Sequence, residues 1–125
     1  MLKEKFKVSN LRHKEHMEWL NLLDFYQEQI LIYQEELLHT FHRHPKYWSI
    51  VEHVTEYRRI FLRKLKNIDD LRHEIILLEK QLSEQLHAEI PINADAAKTR
   101  RKMEKFIARF ESLKKNFRSF VAKNS

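Results

Sequence analysis

Residues 46–87 read KYWSIVEHVTEYRRIFLRKLKNIDDLRHEIILLEKQLSEQLH. Large apolar side chains fall at Tyr47, Ile50, Val54, Tyr57, Phe61, Leu65, Ile68, Leu71, Ile75, Leu78, Leu82 and Leu86. Steps of three and four recur throughout, which is the spacing of one face of an α-helix. Neither glycine nor proline interrupts the run. At 1.5 Å per residue it predicts a helix about 60 Å long, a rod of coiled-coil character rather than an ordinary globular helix.

The chain on either side repeats the pattern. No glycine occurs anywhere, and the only prolines are Pro45 and Pro91. Glycine supplies most left-handed turns and helix ends, so few tight loops are expected. Proline disfavours helical geometry in the residue before it, and itself fits a first helical turn. The first segment is predicted to run from about 10 to 43, with Ser9 or Asn10 as its N-cap. Its stripe is Trp19, Leu23, Tyr26, Ile30, Tyr33 and Leu37, with Phe41 beyond, widened by Leu20, Leu22, Leu31 and Leu38. The third is predicted from about 94 to 122, capped by Asn93 or Asp95, with Met103, Phe106, Phe110, Leu113, Phe117 and Phe120 as its stripe. Short linkers make neighbouring helices antiparallel. The expected fold is all-α: an elongated antiparallel three-helix bundle with heptad packing, as a single domain of 125 residues.

Composition narrows the function classes. With 42% apolar and 34% charged residues, the chain can build a modest core, and it has no apolar run near the roughly 20 residues of a membrane span. The first residues, Met1-Leu2-Lys3-Glu4-Lys5, have no signal-peptide character, so a cytoplasmic setting is expected. The absence of cysteine removes disulfides and thiolate metal sites. The net charge is +6, unevenly placed: residues 96–125 carry ten basic groups against Glu104 and Glu111, while residues 10–44 carry six acidic groups against three basic. Two such segments in one bundle can satisfy each other.

Eight histidines invite a metal reading. Glu36/His39, Asp70/His73 and Glu84/His87 match the carboxylate-x-x-histidine spacing of di-iron bundles. The pairs fall at different depths and off the apolar stripes, so no metal or other cofactor is expected. His39, His42, His44 and His53 cluster by the first turn and form a weaker alternative for zinc or nickel. His16 extends the first stripe backward; if numbers across the hairpin sum to about 90, it lies near residue 74 and bonds to Asp70.

Three basic runs raise nucleic acid as a partner, without any groove-reading motif beside them. Folding the third segment back with numbers summing to about 183 would bring Arg58, Arg59 and Arg63 near Lys114, Lys115 and Arg118 as an anion-binding patch. No nucleophile, base or acid pair converges, so the chain is read as non-enzymatic. In the same register the third helix stops opposite residue 60 or so. That leaves an apolar overhang of Tyr47, Trp48, Ile50, Val51, Val54 and Tyr57 against Tyr33, Leu37, Leu38 and Phe41. The expected function is a small helical scaffold or adaptor that forms a homodimer through those residues. The alternatives are a basic protein binding nucleic acid or another anionic surface, and then a metal-binding bundle.

Overall fold

The computed structural model describes residues 2–88 and 95–125; the side chains of 2, 5, 6, 85–88, 95 and 96 are not described. Three helices form the fold: α1 (Leu2–Arg43), α2 (Trp48–Ala88) and α3 (Asp95–Lys123). The second loop, with Pro91 and the Asn93 cap, lies outside the described residues.

The first helix begins well before the expected Ser9 or Asn10 cap. Nothing between Leu2 and Val8 breaks a helix, so the backbone N–H groups near Ser9 already have helical partners. Ser9 stands seven residues before His16, and both are buried, so this short side chain faces inward instead of capping. The first turn also differs. His44 to Tyr47 form a β-turn closed by Tyr47 N–H donating to the His44 carbonyl at 3.3 Å. Pro45 takes the second position of that turn, where its fixed φ belongs, and α2 starts only at Trp48.

Buried residues on α1 recur at Trp19, Leu23, Tyr26, Ile30, Tyr33 and Leu37; they meet Phe61, Ile68, Leu71 and Ile75 of α2 and the inner stripe of α3. Aromatic rings dominate the middle of this core. Tyr33 lies 5.1 Å from Phe117 and 6.0 Å from Phe61 between ring centroids, and Phe117 meets Phe61 edge-on at 5.0 Å. Phe61, Phe110 and Phe117 are fully buried. Each contributes up to about 3 kcal/mol from burial, and edge-to-face pairs add about 1 kcal/mol. The Tyr33 hydroxyl avoids an unpaired buried donor by donating to Gln29 Oε1 at 3.0 Å.

The axial register of both hairpins departs from the expected sums. His16 meets Glu79, five residues beyond the position expected. On α3, Phe120 packs on Tyr57 at 5.1 Å and on His53 at 5.6 Å, whereas residue 63 was its expected neighbour. The end of α3 reaches the first turn, where His44 Nε2 donates to the Asn124 carbonyl at 2.9 Å. The overhang expected over residues 46–58 therefore has α3 beside it. Among the described residues, no helix is long and apolar enough to cross a membrane.

Candidate functional site

The residues expected to self-associate separate into three groups. Tyr33 and Leu37 are both buried in the core; Phe117 of α3 closes over Tyr33, which is corrected from interface to core, while Leu37 also lines the groove described below. Ile50, Val54 and Tyr57 are half-buried against that core, and Phe41 and Val51 are half-buried too. Only Tyr47 and Trp48 stand clear, 64% and 73% exposed.

Part of the expected surface, Leu37, Leu38, Phe41, Val54 and Trp48, is found on the outer side of α1 and α2. Gln34, Leu37, Leu38, Phe41, Val54, Thr55 and Arg58 line a groove of about 460 Å³. Leu31 lies two turns before Leu38 on the same side of α1. Trp48 and Leu62 lie two turns either side of Thr55 on α2. Leu31, Leu38, Trp48 and Leu62 are all more than half exposed. Exposed leucines are ordinary singly; a band of them beside a groove is not.

The basic residues regroup as well. Arg58 lines the apolar groove, away from α3, and Arg59 pairs with Glu56 at 3.2 Å on its own helix. Arg58 thus faces α1 rather than the expected patch with Lys114, Lys115 and Arg118. The register is not the reason, since Tyr57 on Phe120 and Phe61 on Phe117 set the 58–63 stretch level with the end of α3; Arg58 is turned instead toward the α1–α2 groove. A second groove, of about 240 Å³, opens instead between α2 and α3. Lys64, Asn67, Asp70, Leu71, Glu74, Lys102, Lys105, Phe106 and Arg109 line it.

Lys64 sits in this groove with its ammonium 5.4 Å above the Phe106 ring. Burial, then the charges of Arg109 and Arg63, hold its pKa below the usual lysine value. Burial alone would raise the Glu74 carboxyl. Hydrogen bonds from Thr99 at 2.8 Å and from Lys102, with the charges of Lys102 and Lys98, outweigh burial and lower it. Leu65 packs against the core as expected; sequence reasoning missed this groove because it read Lys64 only as one of a run of basic residues. Lys64 stands three residues after Phe61 and four before Ile68, and that spacing was the available signal.

The histidines expected to cluster by the first turn are held apart by separate partners. His53 packs on Phe120, His42 on Phe41, and His44 is tied to Asn124 and Tyr47. His39 and His73 are exposed, and the side chain of His87 lies outside the description. His16 is buried as expected, but its partner is Glu79 at 2.6 Å rather than Asp70. Among the described residues, no group of three His, Cys, Asp or Glu side chains is placed to hold a metal ion. No known family model, curated protein or solved structure matches the chain.

Proposed function

We propose that this chain is a non-enzymatic helical scaffold or adaptor that works by pairing with a second copy of itself, in a cytoplasmic setting. The observation that carries the reading is the band of Leu31, Leu38, Trp48 and Leu62 around the α1–α2 groove. A groove between two helices accepts a helix, as a fourth member of a bundle does. A two-fold contact would bury two such bands against each other, and two-fold dimers are the commonest symmetric assemblies. The band surrounds a groove that Leu37 lines from the core side, while Tyr33 is not among its lining residues. The interface is therefore the outer face of α1 and α2, with Tyr47 and Trp48 at its edge.

Light scattering across a range of concentrations tests the reading. The full chain is expected at twice its monomer mass. The Leu38→Glu, Leu62→Glu double variant is expected at monomer mass with unchanged helicity, because both side chains are exposed. A monomeric mass for the unaltered chain at about 1 mM, a concentration that reveals even weak contacts, would refute it.

A further inference from the structure

We propose that the α2–α3 groove seats the sugar-phosphate backbone of a nucleic acid duplex, without reading its sequence. This goes beyond self-association and uses a different face.

The first support is the imbalance of charge. Lys64, Lys102, Lys105 and Arg109 line the groove against Asp70 and Glu74. Glu74 is already engaged by Lys102 at 3.0 Å and by Thr99. Among the described residues, Lys64, Lys105 and Arg109 form no ion pair, and Arg63 and Lys98 add charge close by. Cations held close in excess of their counter-charges repel each other, and a polyanion relieves that repulsion.

The second support is shape. Lys98 and Arg109 lie eleven residues apart along α3, about 16 Å of helix. A duplex presents one phosphate charge per about 1.7 Å of its axis, so several phosphates fall within that reach. Among the described residues, α3 exposes no large apolar side chain, which disfavours insertion into a lipid surface. Phe106 is buried under Lys64, so the groove offers no stacking platform for single-stranded bases. What remains is positively charged and long, which suits phosphate contacts that position without specifying.

Fluorescence anisotropy with the full chain tests this, using labelled DNA and RNA duplexes of two unrelated sequences. Vesicles of phosphatidylcholine with phosphatidylserine form the competing arm. Duplexes are expected to bind with affinities independent of sequence. Four phosphate contacts predict a loss on the order of a hundredfold between about 50 and about 200 mM salt. Lys105→Glu with Arg109→Glu is expected to weaken binding at least about tenfold and to flatten the salt dependence. Lys7→Glu with Lys14→Glu, the same change in net charge on α1, is expected to have far less effect. Asp70→Asn is expected to tighten binding. Equal losses from the two double variants, no duplex binding at low salt, or binding to vesicles alone would each overturn the proposal. Both double variants alter exposed side chains, and circular dichroism verifies their folds.

Discussion

His16 and Glu79 are joined across α1 and α2 by a 2.6 Å hydrogen bond, the imidazole fully buried and the carboxylate at the edge of the core. His13 donates to the other oxygen of the same carboxylate at 2.7 Å. With the carboxylate oxygens as acceptors, Nδ1 of each ring supplies the N–H of its own bond. His16 Nε2 has no partner and is buried. The pair is therefore asymmetric in what its loss would do. Glu79→Leu strands a buried donor and is expected to cost about 2–3 kcal/mol. His16→Leu removes the unpartnered nitrogen, while Glu79 keeps His13 and solvent, and is expected to be near neutral. Urea midpoints of the two variants decide it, and equal destabilisation would contradict the asymmetry.

Glu74 gives a pH-dependent expectation. Its folded pKa is depressed, despite burial, by Thr99, Lys102 and Lys98. On acidification the unfolded chain takes up the proton first. The stabilisation is thus complete above the ordinary carboxylate range and is lost as pH falls through the folded value. Glu74→Gln is expected to cost about 1 kcal/mol at neutral pH. The stability curves of variant and parent should converge as pH is lowered. A gap that stays constant on acidification would mean that the charge of Glu74 contributes nothing.

The three helices were legible because apolar steps of three and four run unbroken through each one. The faces of the bundle follow from that spacing. Axial register does not, since sliding one helix by two turns restores the same face to the same neighbour. The register is instead set by which bulky rings interlock, here Tyr33, Tyr57, Phe61 and Phe117. Two expectations that depended on register moved with it: the partner of His16 and the cover over Tyr57. Buried His16 was legible from its place in the stripe, but Glu79 was not, lying five residues beyond the expected depth.

Lys64 carries the opposite sign to Glu74. Burial and the nearby Arg109 and Arg63 lower its folded pKa. Between the folded and unfolded values the unfolded chain binds more protons, so stability rises with pH through that window. At neutral pH the charged ammonium is a cost to the fold. Lys64→Met keeps an unbranched side chain, and a sulfur contact replaces the cation over Phe106. It is expected to stabilise by about 0.5–1 kcal/mol, raising the melting midpoint by about 3 °C. The same change is expected to weaken duplex binding. A variant that melts lower would show that the ring contact outweighs the repulsion.

The reach of α3 to the first turn can be tested directly, because the chain has no cysteine of its own. Ser49, His53, Asn116, Ser119 and Lys123 line one cleft between the start of α2 and the end of α3. With α3 ending opposite residue 60, Ser49 would have no α3 neighbour. A Ser49→Cys, Lys123→Cys variant is therefore expected to be joined within one chain by a short bifunctional maleimide. Both positions are exposed, so the fold should tolerate the substitutions. The joined chain should migrate faster than its unreacted form under denaturing conditions, since a closed loop of 73 intervening residues compacts the unfolded state. Arg63→Cys with Ser119→Cys serves as the comparison, because the shorter register would place those two residues nearly opposite each other. Joining of the second pair but not the first would return α3 to that register. Tyr57 would then lose its cover, and the self-association surface would return to residues 33–57.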